Sequence, residues 1–209
     1  MPYHIYQCNA PQITWQAHCA CDSSTKIKLG AHLKKNDGKI FNAKNCIQHK
    51  AYNKCTNDND LQLVQLSNKA KQTKNVKIQP LPKIFNDVEE GTVCDTAGWG
   101  AITSNRRTFP GVLMEVNLTA ISRKRCAEMW KPHMITENMM CTLDASGKKD
   151  VCGGDSGGPL LCKNTLRGIV SFGPKTCGYP KRPSVYTFLT ETNLTWIKKV
   201  IKKGTNTTY

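Results

Sequence analysis

The chain has 209 residues, 39% of them hydrophobic, with 30 Lys and Arg against 15 Asp and Glu, a formal net charge of +15. That length can bury a real core, as one compact unit or two small lobes, and no stretch is long and apolar enough to read as a membrane span. Eleven cysteines with no metal-ligand pattern argue against a reduced cytosolic protein and for an oxidising compartment. His18-Cys19-x-Cys21 lacks a second ligand pair at suitable spacing, so no metal and no cofactor is expected. The lysines are scattered, at Lys34-Lys35, Lys69 to Lys77, Lys148-Lys149, Lys198-Lys199 and Lys202-Lys203, without interleaved aromatics, which argues against a nucleic-acid partner. Their charge reads either as a solvated surface or as a face for acidic polymers.

Short strands punctuated by Gly and Pro run through most of the chain and suggest all-β barrels, with no repeats and no low-complexity linkers. Of the five histidines, His4, His18, His32, His49 and His133, only His18 sits directly beside a cysteine, in Ala17-His18-Cys19. His32 and His49 read as surface or turn residues. Asp60 opens the apolar run Leu61-Gln62-Leu63-Val64-Gln65-Leu66, and an acid there is costly to bury unless it is hydrogen-bonded. Its neighbour Asp58, in Asn57-Asp58-Asn59, reads as a solvated turn acid. From Val112 to Thr119 the residues alternate, so that Val112, Met114, Val116 and Leu118 share one face and Glu115, Asn117 and Thr119 the other. Asn117-Leu118-Thr119, Asn193-Leu194-Thr195 and Asn206-Thr207-Thr208 are glycosylation acceptors if the chain is secreted.

The stretch Val151-Cys152-Gly153-Gly154-Asp155-Ser156-Gly157-Gly158-Pro159 carries the most chemistry. Its glycines let the backbone bend sharply and approach a ligand without Cβ interference. Such a bend holds the Ser156 hydroxyl outward beside backbone N–H groups, the arrangement a nucleophile and an oxyanion hole need. A serine at neutral pH needs an adjacent base, normally a histidine held by a carboxylate. Beyond it, Leu194, Ile197, Val200 and Ile201 recur at helical spacing with lysines toward the C-terminal end, which predicts a terminal helix.

Gly153 to Pro159, Ala17-His18-Cys19, Asp60 to Leu66 and Ala97-Gly98-Trp99-Gly100 together resemble the trypsin/chymotrypsin-like serine proteases, and the chain is closest in pattern to the granzyme A/K branch from Leu29-Gly30-Ala31-His32 and Glu115-Val116-Asn117-Leu118-Thr119. The chain order His, Asp, Ser agrees with that fold rather than with subtilisins or α/β-hydrolases. The resemblance implies two antiparallel Greek-key barrels and a C-terminal helix: an incomplete first barrel over about 1–85, a second over 86–188 and the helix over 189–203 of one peptidase domain. It implies His18 as base, Asp60 as its orienter and Ser156 as nucleophile, with the N–H groups of Gly154 and Ser156 as oxyanion donors, each typically worth ~3 kcal/mol in the transition state. Ser171-Phe172-Gly173 would border the substrate, and Ser171 would hydrogen-bond the triad acid. Asp150 would be the floor of the primary specificity pocket, implying cleavage after Lys or Arg, with Gly173 leaving its wall open. Ser184 stands where trypsin-like members have glycine, which narrows the slot and weakens Arg more than Lys; Val151 replaces a serine that often helps grip lysine. The implied disulfides are Cys8–Cys19, Cys94–Cys162, Cys126–Cys141 and Cys152–Cys177. Cys21, Cys46 and Cys55 remain, and Cys55 lies in the loop through which some granzymes form disulfide-linked dimers. Protein substrates, an acidic proteoglycan partner and a secreted or granule location follow from the same resemblance.

The N-terminus departs from the pattern. Mature members begin Ile/Val-(Ile/Val)-Gly-Gly, and their free amine pairs with the aspartate before the nucleophile, here Asp155. This sequence begins Met1-Pro2-Tyr3-His4, shows no secretory signal over 1–11, and has a Cys8-to-Cys19 stretch shorter than the family's. The expectation is an N-terminally incomplete chain with little or no proteolytic activity as it stands, although its longer parent would be active, or else a non-catalytic cationic homologue that binds anionic surfaces.

Overall fold

The computed structural model describes residues 3–5, 21, 24–35 and 37–205. Two β units and a terminal helix meet along an apolar seam, to which the strands lend Leu63 from one unit and Leu166 and Ile169 from the other.

The first unit is an antiparallel sheet in the order β1-β4-β3-β2, built from β1 (Tyr3–Ile5), β2 (Lys26–Leu29), β3 (Lys39–Gln48) and β4 (Gln62–Leu66). Among the described residues it is an open four-stranded sheet rather than a closed barrel. Strand β4 is buried on both faces because its apolar residues occupy both parities. Val64 and Leu66 pack with Ile27, Phe41 and Ala43 in the sheet's own core, whereas Leu63, with Leu61 just before the strand, points the other way.

The second unit is a closed antiparallel barrel of β5 (Val93–Gly98), β6 (Met114–Ile121), β7 (Met139–Leu143), β8 (Pro159–Cys162), β9 (Thr165–Phe172) and β10 (Ser184–Phe188). Two meanders, β5-β6-β7 and β8-β9-β10, close on each other through β5 against β8 and β7 against β10. Leu118, Ala120, Met140, Leu160, Val170, Tyr186 and Phe188 fill its interior. The fully buried Tyr186 keeps its hydroxyl satisfied at 2.9 Å from Thr142 Oγ1.

The alternation read along Val112 to Thr119 holds in parity but not in extent. Leu118 is buried and Val116 half-buried, whereas Val112 and Met114 stay exposed. Before Thr119, β6 has β5 as its one ladder partner, because β7 joins it from Thr119 onward. A two-stranded ribbon has too little behind it to cover both faces.

Two helices complete the molecule. Helix α1 (Arg123–Trp130) was not anticipated from the sequence; it buries Cys126 and Trp130. Helix α2 (Glu191–Thr205) lies two residues later than the 189–203 that the resemblance implies. Thr190 Oγ1 accepts the Asn193 N–H at 3.2 Å, Glu191 sits in the first turn and Lys202 and Lys203 in the last, all favourable to the helix dipole. Leu194 and Ile197 of α2 join Leu189, Leu166 and Ile169 of the barrel's outer face and Leu61 and Leu63 of the first sheet in one cluster. This seam binds the two units. Among the described residues no helix is long and apolar enough to cross a membrane.

Disulfides join Cys94–Cys162, Cys126–Cys141, Cys152–Cys177 and Cys21–Cys46. The first links directly opposed residues of β5 and β8; the second ties α1 to β7. The sequence had left Cys21 and Cys46 without partners. Cys55 is free and exposed, and Cys8 and Cys19 lie outside the described residues.

Candidate active site

Strand β9 assembles the site. Gly157, directly after Ser156, donates its N–H to Val170 O at 2.8 Å, and Val170 N–H returns to Gly158 O at 2.9 Å. The next residue, Ser171, is buried and donates Oγ–H to Asp60 Oδ2 at 2.7 Å. Two consecutive residues of one strand therefore grip the serine loop with backbone and the acid with a side chain. Asp60 is brought there by the seam, because Leu61 and Leu63 anchor the chain immediately after it. Thr187 of β10 adds a second tether, donating Oγ1–H to the Asp60 carbonyl at 3.1 Å. Tyr52 also faces this acid: burial, with the Asp60 charge second, pushes its phenol up to about 12. His18 lies outside the described residues.

The serine loop is held from below. Asp155 N–H donates to Cys152 O at 3.0 Å, and Gly154 carries φ +100°, a region that favours glycine. The Asp155 carboxylate accepts Gly100 N–H at 2.8 Å and Cys152 N–H at 2.9 Å. It lies so close to Gly100 that a Cβ there would overlap the carboxyl. Burial raises the Asp155 pKa above the usual carboxylate range despite these two donors, and the charge of Asp150 adds to the rise. Among the described residues no cation forms a salt bridge with Asp155.

Asp150 lies beneath the same loop. Its carboxylate accepts Ser184 Oγ–H at 2.5 Å, Gly178 N–H at 2.7 Å and Val151 N–H at 2.9 Å. Burial pushes its pKa up; those donors and the Arg106 charge oppose the rise. Ser184 and Gly173 face each other, since a Cβ on Gly173 would stand 3.1 Å from Ser184 Oγ. The Cys152–Cys177 disulfide spans the segments carrying the serine loop and this wall. Phe172, between Ser171 and Gly173, packs edge-to-face with Trp130 at 5.2 Å and His133 at 5.0 Å between ring centroids.

Four sequence-based readings need correction or completion: His49, read as a surface or turn residue, is buried and packs edge-to-face on Trp196 at 4.5 Å between ring centroids. Asn193 cannot carry a glycan in this fold: it is completely buried and its Nδ2 donates to Phe188 O at 2.9 Å. Asn117 is exposed, with Oδ1 accepting from Lys149 Nζ at 2.5 Å, and Asn206 lies outside the described residues. Asp58 is no solvated turn acid: it accepts Thr136 Oγ1–H at 2.6 Å and Asn138 Nδ2–H at 3.2 Å, tying the first unit to the segment before β7. Arg106, which no motif marked, donates from Nη2 to Pro174 O at 2.6 Å, next to Gly173.

The comparisons with known proteins agree with this geometry. A family model described as Trypsin matches residues 15–197. Granzyme A of Bos taurus is 39% identical over 192 residues, spanning 88% of this chain and 73% of that protein. Kallikrein-7 of Homo sapiens is 37% identical over 188 residues, spanning 90% of this chain and 72% of its own length. Among solved structures, neuropsin, a serine protease expressed in the limbic system of mouse brain, superposes with a TM-score of 0.78 at 34% identity, over 84% of this chain and 78% of that one.

Proposed function

The chain belongs to the trypsin family of serine proteases, and from that premise we propose that it is a granzyme-type endopeptidase hydrolysing peptide bonds after Lys or Arg through an acyl-enzyme. Ser156 Oγ attacks the scissile carbonyl carbon while the imidazole of His18 takes its proton, then returns it to the departing amine. Asp60, held by Ser171 and Thr187, keeps the imidazole oriented and stabilises its cationic form. The Gly154 and Ser156 N–H groups receive the developing oxyanion. Water then hydrolyses the ester. The Asp150 carboxylate meets the basic side chain of the residue before the scissile bond, with Gly173 and Ser184 as walls.

The observation that carries the reading is the pairing on β9: Ser171 holds Asp60 at 2.7 Å while its neighbour Val170 holds the residues following Ser156. Four disulfides among the described residues favour an oxidising, secretory setting. The net charge of +15 suits storage against an acidic proteoglycan. A fluorophosphonate probe tests the chemistry. In a form whose N-terminal amine pairs with Asp155, the wild-type sequence is expected to be labelled, Ser156→Ala to be unlabelled, and Asp60→Asn to react slower by about 10⁴-fold. No labelling of wild type, or equal labelling of the Ser156 variant, overturns the proposal. Absence of labelling in a folded chain would favour instead a cationic homologue that binds anionic surfaces without catalysis.

A further inference from the structure

The loop between β5 and β6 reaches the two segments, at Gly153 and Pro174, that lie on either side of Asp150. Ile102 N–H closes the loop on Thr108 O at 2.9 Å. Within it, Arg106 N–H bonds Thr103 O at 2.9 Å, and Asn105 Oδ1 accepts from Thr103 Oγ1 at 2.8 Å and from Arg107 N–H at 3.1 Å. Arg106 itself adopts φ +59°, a left-handed conformation that a long side chain rarely takes. The loop's own hydrogen bonds thus hold a strained residue at its tip.

The Arg106 side chain bridges the serine-loop segment and the Gly173–Pro174 segment. Its Cδ lies 3.3 Å from where a Cβ on Gly153 would stand, on the serine-loop side, and its Nη2 donates to Pro174 O at 2.6 Å on the wall side. Those two segments are the ones that Cys152–Cys177 joins. Further along the loop, the Phe109 ring comes to 3.4 Å from a Cβ position on Gly154. The guanidinium is the cationic group whose charge acts on the Asp150 carboxylate.

We propose that Arg106 is an internal occupant of the primary specificity pocket, seated by its loop where the basic side chain of a substrate would enter, so that the site is self-occluded and a substrate must displace it. The proposal rests on the reading of Asp150 as the pocket floor. Binding to the open form alone lowers apparent affinity by the fraction of molecules that are open. The loop works as an intramolecular competitor whose strength is set by the strain at residue 106 and by the Pro174 contact. A peptide that makes contacts elsewhere in the cleft can drive the exchange; a small isolated cation must do so alone.

Titration of the full chain with p-aminobenzamidine, an aromatic amidine whose fluorescence rises on leaving water, tests this without relying on catalysis. Arg106→Ala and Arg106→Gln are expected to bind about tenfold more tightly than wild type. Arg107→Ala, on the exposed side of the same loop, is expected to match wild type, and Asp150→Asn to lose binding. If both Arg106 variants match wild type while Asp150→Asn loses binding, the self-occlusion is overturned and the pocket reading stands. If Asp150→Asn binds as well as wild type, or no variant binds, the pocket reading falls and takes the inference with it. Using two Arg106 variants guards against misfolding of either one, and Gln keeps a polar N–H donor while removing the charge and shortening the side chain.

Discussion

Ser184 and Asp150 show how much one side chain decides. The Ser184 hydroxyl donates to the Asp150 carboxylate at 2.5 Å, and the same oxygen stands 3.1 Å from a Cβ position on Gly173. It therefore stabilises the charged acid and, on the proposed reading of Asp150 as the pocket floor, narrows the slot that leads to it. Replacing Ser184 with glycine is expected to widen the slot and favour the bulkier guanidinium. Measured on paired Arg and Lys peptide esters, the Arg-to-Lys ratio of kcat/KM should rise about tenfold; an unchanged ratio would show that Ser184 does not shape the slot. The acid's own titration gives a second expectation. Because burial raises its pKa, amidine binding that needs the ionised form should be lost as pH falls through a value above the ordinary ~3.9. The sign for stability is opposite. Between the unfolded value and the raised folded one the native chain holds more protons, so this group's contribution to stability is present below the unfolded pKa and is lost as pH rises through the folded one. An Asp150→Asn chain followed by thermal melting should lose Asp150's share of the stability dependence and keep that of Asp155, whose pKa burial also raises.

At the scale of elements, the seam between β4, β9 and α2 decides where Asp60 goes. Ile197 is 1% exposed within it. Truncating Ile197 to Ala is expected to cost about 2–5 kcal/mol in denaturant unfolding and to slow fluorophosphonate labelling, because the chain after Asp60 loses its anchor. Normal labelling in a destabilised variant would show that the acid is positioned independently of the helix. The elements also show what a sequence makes legible. Helix α2 could be read because Leu194, Ile197, Val200 and Ile201 repeat at its period and lysines follow. Helix α1 could not, since eight residues offer few turns and its buried pair is Cys126 and Trp130. The Ser156 loop could be read because its chemistry is local. The roles of Asp58 and Arg106 were hidden because their partners, Thr136, Asn138 and Pro174, lie 68 or more residues away. Cysteine pairing behaves likewise: composition implied disulfides, but nothing local joined Cys21 to Cys46.

At the scale of the whole molecule, Cys55 is the exposed thiol left after four bridges close among the described residues. If Cys55 forms the disulfide-linked homodimer that the granzyme resemblance implies, the chain should run at twice the monomer mass on a non-reducing gel, and Cys55→Ser should leave monomer alone; a wild-type monomer band would refute it. The use of one strand for two tasks has a consequence of its own. Neighbouring residues of β9 face opposite sides, so a slip of a single residue would present Val170 to the acid and turn the hydroxyl of Ser171 away. The chemistry therefore depends on the phase of β9 against β8 and β10. Length changes in surface connections leave that phase untouched, whereas one residue gained or lost between Leu166 and Val170 would silence the molecule with every reacting group still in its sequence.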